Sequence, residues 1–112
     1  MGRGDGSGTT RDEPGVSLER ISVEGAELVY FEWGERGQPS VLLVHATGFH
    51  ARCWDRVVDE LDGFHVIALD MRGHGRSEKK PPYEWRQFGR DVAAFVESLD
   101  LTGLIGVGHS MG

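Results

Sequence analysis

Leu104-Ile105-Gly106-Val107-Gly108-His109-Ser110-Met111-Gly112 decides how this chain is read. A short apolar run is followed at once by a G-x-S-x-G pattern. Serine hydroxyls are poor nucleophiles unless the residue is held exposed beside a base. A sharp turn between a strand and a helix exposes the serine but strains its backbone. It also crowds the residues two before and two after, where Gly108 and Gly112 stand. Glycine and serine are common, so the pattern alone is weak. Directly after an apolar strand it occupies the context that nucleophilic chemistry requires.

Upstream of that turn the chain alternates strand and helix. Val41-Leu42-Leu43-Val44 and His65-Val66-Ile67-Ala68-Leu69 are continuous apolar runs, the pattern of strands covered on both faces. Leu104 to Val107 is expected to be a third such strand. Trp54, Val57, Val58 and Leu61 fall at i, i+3, i+4 and i+7, which predicts a short amphipathic helix ended by Gly63. Trp85, Phe88, Val92, Phe95, Val96 and Leu99 predict a longer one, left at Gly103. Before them, Ile21 to Val23 and Glu27 to Glu32 flank Glu24-Gly25-Ala26 and predict a hairpin. Gly34 to Pro39 reads as a turn. The whole is an α/β fold, with an antiparallel hairpin leading into parallel strands joined by crossover helices.

Chemistry in such sheets gathers in the loops after the carboxyl ends of the strands. Three loops qualify: His45 to Arg52, Asp70 to Pro82, and Gly108 to Gly112. Each carries an unusual sequence, so architecture and candidate site agree.

Three motifs in these loops together resemble the α/β-hydrolase superfamily, in its branch with a serine nucleophile. Val44-His45-Ala46-Thr47-Gly48-Phe49-His50 is similar to the family's His-Gly oxyanion loop. Asp70-Met71-Arg72-Gly73-His74-Gly75-Arg76-Ser77 is close to its D-x-R-G-x-G-x-S segment, and Gly108 to Gly112 to its nucleophile elbow. The likeness spans about Ile21 to Gly112. It implies that Ser110 attacks a substrate carbonyl. It also implies that the backbone N–H groups of Met111 and Thr47 hold the oxyanion. Ala46 stands where the family usually has glycine, which makes Phe49 an alternative donor to Thr47. Phe49 and His109 are candidates for contact with substrate. Members that open epoxides or cleave haloalkanes carry aspartate at the elbow. Serine points instead to hydrolysis of an ester, thioester, amide or carbon–carbon bond, and cofactor-free perhydrolases look similar.

The resemblance further implies that the triad acid and histidine follow the nucleophile in the chain. On this reading the sequence is an N-terminal portion of the fold, truncated at the elbow. Residues 1–15 form a disordered tail, and 16–112 a partial domain expected to be inactive or nearly so by itself. His45 is expected to order the oxyanion loop, and Asp70 with Arg72 to stabilise a turn. Trp54, Trp85 and Phe88 are expected in the core, and Cys53 to be a small buried residue.

Bulk properties bound the remaining classes. With 38% apolar and 27% charged residues, the chain fits an ordinary globular domain. A net charge of −6 argues against a nucleic-acid or anionic-membrane partner. A single cysteine excludes an intramolecular disulfide and fits a reducing, cytoplasmic compartment. The five histidines lack the spacing of a metal site, so neither metal nor cofactor is expected, and the partner is a small-molecule acyl substrate. Two rivals stand beside the hydrolase. One is a non-catalytic protein of the same fold. The other is a dinucleotide-binding loop, since Gly106, Gly108 and Gly112 also spell G-x-G-x-x-x-G, although such loops usually follow the first strand of a sheet.

Overall fold

The computed structural model describes residues 9–13, 15–110 and 112. Six strands form one mixed sheet: β1 (Thr9–Glu13), β2 (Val16–Val23), β3 (Ala26–Trp33), β4 (Ser40–Val44), β5 (His65–Asp70) and β6 (Ile105–Gly108). Their order across the sheet is β1-β2-β3-β5-β4-β6. β2 and β3 form the expected hairpin, with Val23 paired to Ala26. Its two turn residues, Glu24 and Gly25, have φ of 49° and 78°. Positive φ at both centres is the type I′ geometry that matches strand twist. β3 then pairs antiparallel with β5, while β4 lies parallel to both β5 and β6.

The apolar runs are explained by cover on both faces. Leu42, Val44, Ile67 and Leu69 point to one side, where Phe95 and Leu99 of helix α2 (Trp85–Leu99) join them. Val41, Leu43, Val66 and Ala68 point to the other, against Ala51, Trp54, Val58 and Leu61. Those residues belong to a 3-10 turn (Ala51–Trp54), the one-turn helix α1 (Asp55–Val58) and the segment after it. The chain thus leaves the neighbouring strands β4 and β5 toward opposite faces. That divergence opens a crevice at their carboxyl ends.

The structure differs from the sequence reading in several places. Thr9–Glu13 form edge strand β1 on β2, so the tail expected over 1–15 contains a strand. β1 pairs with the backbone groups along the outer edge of β2. Residues 1–8 and Pro14 lie outside the described residues. The helix expected over 54–61 is only one turn, preceded by a 3-10 turn.

β6 is exposed along its length, with Ile105 at 52% and Val107 at 40%. It sits at the sheet edge, paired only to β4, so its apolar pattern does not make it buried. Trp85 begins α2 at 69% exposure, so it is not the core residue expected. Cys53 is exposed as well, on the outer side of the 3-10 turn.

Candidate active site

The turn after β6 has the geometry that its sequence demands. Ser110 has φ of +57°, a left-handed conformation that costs a non-glycine residue roughly 1–2 kcal/mol. The chain is pinned on both sides of it. His109 N–H donates to the Val44 carbonyl at 3.2 Å, and Gly112 N–H donates to the His109 carbonyl at 3.1 Å. A Cβ on Gly108 would overlap the carbonyl of Gly112, and one on Gly112 would overlap the carbonyl of Val44. Both glycines are therefore fixed by close backbone approach. Ser110 itself is exposed. Met111 lies outside the described residues.

The loop after β4 approaches this turn from the neighbouring strand. Phe49 N–H donates to the Ala46 carbonyl at 3.0 Å, closing a four-residue turn around Thr47 and Gly48. Gly48 has φ of +83°, the positive value that a type II turn needs at its third position. Ala46, where the family usually has glycine, is buried at 5% exposure. The Phe49 amide is spent inside this turn. The Phe49 ring meets the His109 ring edge to face at 6.3 Å. The two residues named for substrate contact thus stand together beside Ser110.

His45 ties this loop to β5. Its Nδ1 lies 2.8 Å from the Ala46 carbonyl oxygen, and its Nε2 lies 3.0 Å from the Met71 amide nitrogen. A carbonyl only accepts and an amide only donates, so His45 must carry its proton on Nδ1. Burial pushes its pKa below the ordinary histidine value, in keeping with a neutral ring.

Asp70 binds the same loops a second time. Its Oδ1 accepts from the Ala51 amide at 2.7 Å and its Oδ2 from the Arg76 amide at 2.9 Å. The expected pairing of Asp70 with Arg72 is not what forms. Arg72 turns away and makes a two-pronged ion pair with Asp91 of α2, both bonds at 2.8 Å. A rigid guanidinium fork matches a carboxylate that can meet it edge to edge, whereas the Asp70 carboxylate already holds two amides.

The rest of the Asp70 motif is scaffold. Gly75 is needed because a Cβ would overlap the Asp70 carboxylate, and Gly73 because Tyr83 packs against it. Ser77 donates to the Asp70 carbonyl and accepts from the Val29 amide, joining the loop to β3. The sequence reading missed Asp91 and Gln87, which are buried polar residues on the inner face of α2. Asp91 falls one residue before Val92 and three after Phe88, inside the apolar stripe, and that position was the available signal.

A serine–histidine–carboxylate row lies at the opposite end of the sheet from Ser110. Ser40 Oγ is 3.0 Å from His65 Nδ1, and His65 Nε2 bonds Glu32. Ser40 is only 6% exposed and His65 only 1%. A buried hydroxyl at the start of a central strand has no room for an acyl group, so this row braces β3, β4 and β5. Among the described residues, no group of three His, Cys, Asp or Glu side chains is placed to hold a metal ion, and no helix is long and apolar enough to cross a membrane.

Comparison with known proteins agrees with this frame. The sequence profile of the alpha/beta hydrolase family matches residues 41–112. Over 92 residues the chain is 37% identical to a non-heme chloroperoxidase of Streptomyces lividans, covering 80% of this chain and 33% of that protein. It is 36% identical, with the same coverage, to a bifunctional esterase/perhydrolase of Acinetobacter calcoaceticus. Epoxide hydrolase A of Mycobacterium tuberculosis is 35% identical over 104 residues, covering 88% and 32%. Among solved structures, a bacterial membrane phospholipase A superposes with a TM-score of 0.81 at 33% identity, covering 88% of this chain and 33% of the other. The chain belongs to the alpha/beta hydrolase family, and it spans about a third of the length of the relatives it matches.

Proposed function

We propose that the protein is a serine hydrolase acting on a small-molecule acyl substrate. Ser110 Oγ attacks the carbonyl carbon and gives its proton to a histidine base. The carbonyl π electrons move to oxygen, and the oxyanion is held by the backbone N–H groups of Thr47 and Met111. Collapse expels the leaving group, which takes the proton from the base, and water releases the acid by the same steps in reverse. Each oxyanion donor is worth about 2.7–4 kcal/mol of transition-state stabilisation. Phe49 and His109 line the acyl side. The bond cleaved is an ester, thioester, amide or carbon–carbon bond.

One observation carries this reading. Ser110 is held in a left-handed conformation between two glycines whose Cβ atoms would overlap backbone. Strain of that kind, fixed on both sides, is what exposes a nucleophile. The esterase named among the relatives supports acyl transfer. The epoxide hydrolase relative is nearly as similar in sequence, so the side chain at the elbow, not overall identity, selects the reaction.

On this reading the base is a histidine that follows Ser110 in the chain, as the family resemblance implies. His45 and His65 have both ring nitrogens engaged, and His74 bonds the Arg72 carbonyl. On this reading the 112-residue chain alone has little activity. A cytoplasmic location fits its single cysteine.

Labelling with a fluorophosphonate probe tests the nucleophile in the protein at its natural length. Ser110→Ala abolishes labelling and Ser40→Ala leaves it intact. Labelling that survives Ser110→Ala and disappears with Ser40→Ala would transfer the role to the other end of the sheet.

A further inference from the structure

We propose that His45 is a positioning residue that holds the Thr47 turn only in its neutral Nδ1–H form, so that protonation at Nε2 releases the loop and slows acyl transfer. This rests on the acyl-transfer reading of Ser110 and concerns how the same site is regulated.

The geometry leaves the ring one working state. The Ala46 carbonyl accepts from both His45 Nδ1–H and Phe49 N–H. His45 therefore grips the very carbonyl that closes the turn around Thr47. Its other nitrogen is anchored to β5 through the Met71 amide. A proton on Nε2 would set two donors against each other at a 3.0 Å separation. That converts an anchoring bond into a repulsion, in a site where His45 is 1% exposed and water cannot relieve it. The ring must then turn or shift, and Nδ1–H leaves the Ala46 carbonyl with it.

The surroundings set the sensitivity. His74, from the loop after β5, lies with its ring centroid 5.0 Å from that of His45. His74 and His50, the latter from the same loop as His45, oppose a charge on His45, and Asp70 of β5 favours one. Burial is the largest influence and disfavours the charged ring.

His45→Gln tests this, because the amide oxygen of glutamine can take the Met71 N–H without titrating. In the protein at its natural length, kcat/KM for p-nitrophenyl acetate would be followed against pH. The expected wild-type acid limb steepens from first to second order in protons, as the base and then His45 protonate. His45→Gln lacks the Nδ1–H bond to the Ala46 carbonyl and so loses about ten-fold at pH 8, but it shows a first-order limb throughout. His45→Leu lowers kcat by about 10–100-fold with little change in KM, the sign of a displaced oxyanion donor. Identical acid limbs in wild type and His45→Gln would overturn the proposal.

A long-range proton–nitrogen NMR spectrum of the imidazole gives an independent readout and does not depend on the Leu variant folding. It is expected to show the Nδ1–H form and protonation below the ordinary histidine range. A ring protonated on Nε2 at neutral pH would overturn the latch even in an active enzyme. Absence of any Ser110-dependent turnover would instead overturn the acyl-transfer reading and the link to catalysis, while the spectrum still decides the state of the ring.

Discussion

Arg72 and Asp91 form a two-pronged ion pair with side chains only 2% and 0% exposed. It fastens the loop after β5 to the inner face of α2. Arg72 also donates to the Lys80 and Glu24 carbonyls, and Gln87 donates to Asp91. The guanidinium is held firmly charged, chiefly by its hydrogen bonds to Asp91. Removing one partner leaves a buried charge without compensation, which typically costs about 3–5 kcal/mol. Asp91→Leu is expected to lower stability by about that amount in urea unfolding. Adding Arg72→Met removes the stranded charge and recovers part of the loss. Recovery is incomplete because the Lys80 and Glu24 carbonyls lose their donor. A double variant no more stable than Asp91→Leu would contradict this account.

The glycines of the elbow are predicted to differ from their neighbour Gly106. A Cβ on Gly106 would meet nothing within 4 Å, whereas one on Gly108 or Gly112 would overlap backbone. Gly106→Ala should leave fluorophosphonate labelling and thermal stability near wild type. Gly108→Ala and Gly112→Ala should each slow labelling by at least ~10-fold, since a small misplacement of a reacting group is costly. They should also destabilise the protein, because overpacking a tight site commonly costs about 1–3 kcal/mol. Equal labelling rates in the three variants would remove the steric explanation for G-x-S-x-G.

These contrasts separate what sequence could and could not disclose. The strand–helix alternation was legible because a sheet covered on both faces requires apolar runs such as Val41 to Val44. The elbow was legible because backbone crowding restricts Gly108 and Gly112 to one residue type. The partner of Arg72 was not. Asp70 and Asp91 are both plausible carboxylates, and only the fold shows that Asp70 is already occupied by two amides. The exposure of β6 and Trp85 was hidden for a different reason. Periodicity records which face a residue takes, but not whether another element covers that face. His45 was read as ordering its loop, and the structure supplied the atoms through which it does so.

The hairpin turn offers a stability test independent of the active site. Glu24 has φ of 49° at the first centre of a type I′ turn, a conformation that asparagine and glycine tolerate better than glutamate. Its side chain pairs with Arg90 at 3.5 Å, but both are well exposed, and such pairs contribute little. The Glu24 bond to Arg72 uses its backbone carbonyl and survives substitution. Glu24→Asn is therefore expected to stabilise the protein by about 0.5–1 kcal/mol in urea unfolding. A loss of stability would mean that the Arg90 pair outweighs the backbone strain.

Tyr30 gives the clearest prediction at high pH. It lies on β3 directly opposite Glu19 of β2, two residues before Glu32, with its ring 4.9 Å from that of Phe95. Burial, then the charges of Glu32 and Glu19, push its pKa from 10.0 up to about 12. The neutral phenol is the favoured form in the fold, so the unfolded chain loses this proton first. The contribution of Tyr30 to stability is complete below pH 10.0 and declines as pH rises through about 12. Near-ultraviolet titration of the protein against its Tyr30→Phe variant should isolate a phenolate that appears near that upper value. Glu19→Gln should move the midpoint down, since it removes one of the two repelling carboxylates. A difference spectrum with its midpoint at the ordinary tyrosine value would show that the ring is solvated, and that the packing of β3 against α2 is looser than the Tyr30–Phe95 contact requires.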